Sequence, residues 1–368
     1  MSLEAAERPA GAVEDAELRS RAVAVAGLLA ALALRLAILV HFRGNFDVGS
    51  YGRVAEIVLR GGDLYRETTQ YKYAPPWAFV VSGAERIAQD TGVAFADVVG
   101  GLLLLTDAVT AALLFVLGGA SRRGRTAAVL FFANPVSVLC SSFYLQFDDI
   151  AILFLLAAIW AARYGRRGRL MTAAALSASL LIKHVTGFFP LVFGARRRQG
   201  TGVLAASIPY LAFGASFLPF WHLWPEIRAN VLAYRGGLEP YGLGRLRDLA
   251  AVPEWVPSAV FLAAVAAAIA AGRSLELSRA CLLLFLVMLL FTPGICEYYF
   301  VWPIALGSLT GGAGYAVYTV VTSAFYMGGS LYGLHVPSQH FPDWGGVWWS
   351  LVFWYAWDER RRRRERLT

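Results

Sequence analysis

The chain predicts an all-α, polytopic membrane protein of about twelve transmembrane or re-entrant helices, with interfacial helices in its first outer loop. Three observations predict that class. Hydrophobic residues make up 58% of the 368 and charged residues only 16%, too little polar surface to coat a soluble globule. Apolar runs recur from residue 22 to residue 357 with short connections between them. Those connections alternate between arginine clusters and stretches in which acidic and basic residues balance, as the positive-inside rule expects of a chain that crosses back and forth.

The elements follow in order. Residues 1–21 form a cytoplasmic tail, and 22–41 cross outward as a retained span, since no small-residue cleavage site follows. Residues 42–97 carry six Lys/Arg and seven Asp/Glu, the balance of an outer loop. Within that loop, Val54, Ile57 and Val58 share one helical face with Arg53, Glu56 and Arg60 away from it, and Gly61-Gly62 stops the helix. Such a helix is expected to lie flat on the membrane. The run Tyr71-Lys72-Tyr73-Ala74-Pro75-Pro76-Trp77 then turns into 77–83, too short to span and read as a second interfacial or re-entrant helix, with Trp77 and the tyrosines at headgroup depth.

Residues 98–119 return to Arg122, Arg123 and Arg125, 126–143 go out, and 149–163 come back to Arg163, Arg166, Arg167 and Arg169. Residues 170–194 lie between that cluster and Arg196–Arg198, so they form an even number of crossings: two short helices meeting near Lys183-His184. Residues 202–220 then go out, and 221–255 form a second large outer loop with four Arg and four Asp/Glu. The crossings 256–271, 281–296, 298–310, 314–333 and 346–357 complete the count, both termini being cytoplasmic. The basic tail 358–368, with Arg360–Arg364, anchors the last span to anionic lipid.

Composition also excludes some functions. The net charge of +8 sits in short loops between spans, so it serves topology and not nucleic acid. Cys140, Cys281 and Cys296 have no CxxC spacing and read as packing residues. His335 and His340 offer a His-x4-His spacing, but a solvated loop accounts for them better, and neither a metal nor another cofactor is expected.

What remains are carboxylates on the outer side: Asp47 just beyond the first span, Gln146-Phe147-Asp148-Asp149 at the mouth of a later one, and Glu297-Tyr298 later still. Carboxylates at membrane edges suggest chemistry at that surface. Lys183, one of two lysines beside 31 arginines, interrupts an apolar run. Burying a cation there costs roughly 2.5–3.5 kcal/mol, so an anionic partner is expected, a phosphate or a carboxylate such as Asp148. His184 reads as a phosphate ligand or as a hydrogen-bonded residue at the helix break. Asp149 reads as an N-terminal cap, and Asp107, inside 98–119, as a helix-pairing residue.

The order of these motifs resembles the GT-C superfamily of integral-membrane glycosyltransferases: Asn45-Phe46-Asp47, a Gly-Gly stop, Tyr71-Lys72-Tyr73-Ala74-Pro75-Pro76, Asn134-Pro135 ahead of Gln146–Asp149, and Lys183 at a break. It is similar above all to the mannosyl- and glucosyltransferases that use polyprenyl-phosphate sugars. The resemblance implies Asp47 as catalytic base, Lys183 and His184 near the donor phosphate, and Tyr73, Gln146, Asp148, Glu297 and Tyr298 around the substrates. Cys296 stands where relatives carry a histidine before the glutamate. The implied partners are a polyprenyl-phosphate sugar donor, a lipid or glycan acceptor and membrane lipids, at the outer face of the plasma membrane. A lipid flippase or transporter is the rival class, for which interrupted internal repeats are expected and none is seen.

Overall fold

The computed structural model describes residues 10–42, 46–196, 202–234, 252–253, 255–331 and 343–367, and among these every regular element is helical. The first half contains α1 (Ala10–His41), α2 (Phe46–Leu59), α3 (Leu64–Glu67), α4 (Pro75–Thr91) and α5 (Phe95–Leu117). It continues through α6 (Arg122–Phe132), α7 (Pro135–Val138) with a π-helical turn at Leu139–Phe143, α8 (Asp148–Ala162), α9 (Arg169–Ile182) and α10 (Phe189–Gly194). The second half contains α11 (Gly202–Ser216), α12 (Trp224–Ile227), α13 (Trp255–Gly272), α14 (Leu277–Phe291), α15 (Trp302–Thr310), α16 (Ala313–Leu331) and α17 (Trp344–Leu367).

Among the described residues, three helices are long and apolar enough to cross a membrane: α1 over Asp15–His41, α5 and α13. The α6–α7 pair, bent by 45° at Asn134, makes a fourth if it counts as one broken span. The other expected crossings are short. The helices α8, α9, α14 and α15 have 15, 14, 15 and 9 residues, below the roughly 20 that a perpendicular span needs. On α1 and α13, Val23, Leu29, Leu34 and Leu262 stay exposed, which suits apolar surroundings.

Local sequence explains several boundaries. Gly61, at φ +73°, ends α2, with Gly62 N–H bonding the Ile57 carbonyl at 2.8 Å. Pro75 and Pro76 open α4, where a missing N–H does no harm. Asn134 accepts the Val136 N–H at 2.9 Å and donates to the Tyr315 hydroxyl at 2.8 Å, pinning the α6–α7 bend to α16. Two expectations change at the ends, since α1 begins inside the expected N-terminal tail and α17 runs through the arginine cluster to Leu367.

Segment 42–97, expected to be the first outer loop, also differs from expectation. It is a packed subdomain whose apolar core is shared with α5, α8 and the segment from Phe217 to Val231. Val54 and Ile57 on α2 are buried, and α2 packs on α4. Tyr51, Tyr65, Tyr71 and Trp77 are buried too, Trp77 completely, so they are core residues and not headgroup anchors. A helical period reports that a face is apolar, not what covers it. The apolar side chains that remain exposed on this subdomain include Phe79 and Ile87 of α4, whose helix continues through Glu85-Arg86 to Thr91.

Candidate functional site

The site is built around the start of α8. Before it, Leu145 is held at φ +51°, a conformation that a side chain disfavours, and Gln146 N–H bonds the Cys140 carbonyl at 3.0 Å. Phe147 is the N-cap residue, which places Asp148 and Asp149 in the first turn, where the helix dipole favours anions. Successive residues on a helix point about 100° apart, so the two aspartates meet different partners.

Asp148 Oδ1 accepts the Trp302 indole N–H at 2.6 Å, while Oδ2 binds the Lys183 ammonium. Lys183 stands at the break between α9 and the 3-10 turn His184–Phe188, in extended conformation. Its side chain is 4% exposed and that of Asp148 0%, so the pair is fully desolvated. The ammonium also lies over Phe147, Tyr299 and Tyr73, at 5.0, 5.2 and 5.7 Å from the ring centres.

Asp47 comes from the first turn of α2. Its Oδ2 accepts the Gln146 amide N–H at 2.6 Å, and the Gln146 carbonyl faces the Tyr51 hydroxyl at 3.3 Å. The Tyr298 phenol also hydrogen-bonds Asp47, whose carboxylate can only accept. Tyr298 therefore donates.

Aromatic rings join the two carboxylates. Phe147 stacks on Trp77 at 4.1 Å and meets the edge of Tyr73 at 4.8 Å, and both Tyr51 and Tyr73 lie within electrostatic reach of Asp47 and Asp148. Tyr73 is set by its neighbours: the Tyr65 hydroxyl bonds its carbonyl at 3.0 Å, and the Tyr71 hydroxyl links Ala74 to Ala78 at the start of α4. On the far side, Tyr326 of α16 donates to the Glu297 carbonyl at 2.6 Å.

Of the residues singled out in the sequence, Asp47, Gln146, Tyr298, Tyr73, Asp148 and Lys183 thus come together. Glu297 joins at the edge, its carboxylate 3.6 Å from the Cys296 thiol and in electrostatic contact with Tyr298. His184 makes no hydrogen bond to any of them, and its Nδ1 is buried without a partner. The N-cap expectation for Asp149 is wrong. Neither of its oxygens accepts a hydrogen bond, because its side chain turns to Asp107 and not to the helix N–H groups. Asp107 pairs as expected, with Arg35 of α1 at 2.5 Å. Among the described residues no group of three His, Cys, Asp or Glu could hold a metal, and His335 and His340 lie outside them.

Sequence reading missed three participants, and with them Arg35, the partner of Asp107 behind the site. Trp302 and Tyr51 reach the site only through tertiary packing. Arg35 lies inside an apolar run, where its charge was the available signal. Lys72 flanks Tyr73, and its ammonium sits 4.2 Å above the Tyr234 ring, with no carboxylate partner among the described residues; Tyr234 in turn hydrogen-bonds Tyr299. A separate cavity of about 450 Å³, lined by Arg163, Arg196 and Glu276 among others, lies at the C-terminal end of α8, roughly 20 Å of helix away. It shares no residue with the site. No family model, curated protein or solved structure matches the chain, so a functional reading rests on this chemistry.

Proposed function

We propose that the protein is a GT-C-type membrane glycosyltransferase that moves a hexose, mannose foremost, from a polyprenyl phosphate to a lipid or glycan acceptor at the outer face of the plasma membrane. The observation that carries this reading is the clamped Asp47 carboxylate and a buried lysine, both facing Tyr73 in an aromatic-walled site. In the reaction, Asp47 takes the proton of the acceptor hydroxyl as its oxygen attacks the anomeric carbon. The bond from that carbon to the phosphate oxygen breaks, and the phosphate leaves with the electron pair. Gln146 and Tyr298 aim the base. Lys183 is already matched by Asp148, so it supplies partial charge while Lys72, at the edge, meets the phosphate. The aromatic faces suit a sugar ring and an isoprenoid chain.

In this reading the short helices complete about twelve crossings, thinned or sheltered by their neighbours, with both termini cytoplasmic. Cysteines placed at 68 and 239 would then react with an impermeant thiol reagent from outside, and one at 166 would not. Labelling of position 166 in sealed cells reverses the sidedness. The chemical test is Asp47→Asn, which keeps size and hydrogen bonding but removes basicity. Transfer from a polyprenyl-phosphate hexose should fall by roughly 10²–10⁴ with donor binding little changed. Near-normal turnover removes Asp47 from the role of base.

A further inference from the structure

Behind the site lies a second buried cluster that the proposed chemistry does not use. Arg35, Asp107 and Asp149 are each 0% exposed. Arg35 donates to Asp107 Oδ2 at 2.5 Å, to the Phe132 carbonyl at 2.9 Å, and to the Ser137 and Ser141 hydroxyls at 2.8 Å each. The Ser141 hydroxyl faces the same Asp107 oxygen at 2.6 Å. Asp107 Oδ2 is thereby saturated. Asp107 Oδ1 and both oxygens of Asp149 have no donor, although the two carboxyl groups lie within hydrogen-bonding reach of each other.

We propose that Asp107 and Asp149 form a buried proton-binding site, holding one proton between them against Arg35. Charge and hydrogen bonding lead there independently. One guanidinium cannot neutralise two carboxylates, and an uncompensated buried anion is too costly to persist. The neighbouring groups offer no further cation: Asp148, next on the same helix, already consumes Lys183, and Cys140 is a thiol. Two bare carboxylates facing each other also have no hydrogen to share. A single proton removes the excess charge and supplies the missing donor, and Asp149, without any other donor, is the residue to carry it. The site's ligand is thus a proton. Its loss would place a second negative charge one residue from Asp148, competing for Lys183, so the proton's presence is tied to the electrostatics of the site in front.

Infrared difference spectroscopy of the full chain in nanodiscs tests this without reference to activity, so its failure and that of the transferase reading are distinguishable. At pH 8 the native protein should show the C=O band of a protonated carboxylic acid that shifts in D₂O. Asp149→Asn should abolish it. Asp107→Asn should abolish it too, because Asp149 then becomes the one anion matching Arg35, and this variant serves if the first does not fold. Arg35→Gln should strengthen the band, since both acids would then be neutral. A native spectrum without an exchange-sensitive acid band, or a band retained in Asp149→Asn or in Asp107→Asn, overturns the proposal.

Discussion

Asp148 and Asp149 are adjacent in the chain, yet they lead to ion clusters of opposite character. On the Asp149 side the cation is Arg35, whose planar fork is spent on one carboxylate, one carbonyl and two hydroxyls. On the Asp148 side the cation is Lys183, whose three donors meet one carboxylate and three ring faces. Arginine saturates oxygen acceptors, whereas lysine is a point charge matched by one carboxylate and otherwise faced by rings. The first cluster ties helices together, and the second lines the site proposed to take the substrates.

That contrast can be broken by substitution. The largest effect on stability is expected from Arg35→Met, which strands two buried carboxyls. Thermal unfolding in detergent should report a loss toward the upper end of about 3–5 kcal/mol. Lys183→Met should lie at the lower end of that range, because Asp148 keeps the Trp302 hydrogen bond, and a double-mutant cycle with Asp148→Asn should return strong coupling. Equal losses for the two cations would erase the distinction. Trp302→Phe, which removes one donor to a charged oxygen, should cost roughly 1.5–3 kcal/mol by the same measurement. Gln146→Leu should cost about 1 kcal/mol in stability yet lower turnover by up to about 10²-fold, since it frees the Asp47 carboxylate. Smallest in stability is Lys72→Ala, expected within about 0.5 kcal/mol of native but with a raised KM for the donor. An unchanged KM would move the phosphate elsewhere.

Much of this arrangement was legible where the signal was local. Gly61-Gly62 stopping α2, Pro75-Pro76 opening α4, Asn134-Pro135 bending the α6–α7 pair and Lys183 ending α9 are each encoded within a few residues. The partners were not. Arg35 meets Asp107 across 72 residues and Asp148 meets Trp302 across 154, distances at which periodicity and charge alternation carry no information. The aromatic residues of segment 42–97 were misread for a related reason. Tyrosine and tryptophan suit a headgroup belt and a dry core equally well, and only packing decides between them.

The two partners of Asp148 also lie at unequal distances along the chain, Lys183 35 residues on and Trp302 154. Translation proceeds from the N-terminus at about 5–20 residues per second, so the lysine is made seconds before the tryptophan exists. In the proposed twelve-crossing arrangement, the α8–α9 hairpin would therefore enter the bilayer with its two charges already cancelling, before α15 is available. Trp302 arrives as a latch on a finished pair. A nascent chain halted before residue 302 should accordingly insert its first half, and only the complete polypeptide should acquire the ring-lined wall in which Tyr299 and Trp302 stack at 4.2 Å.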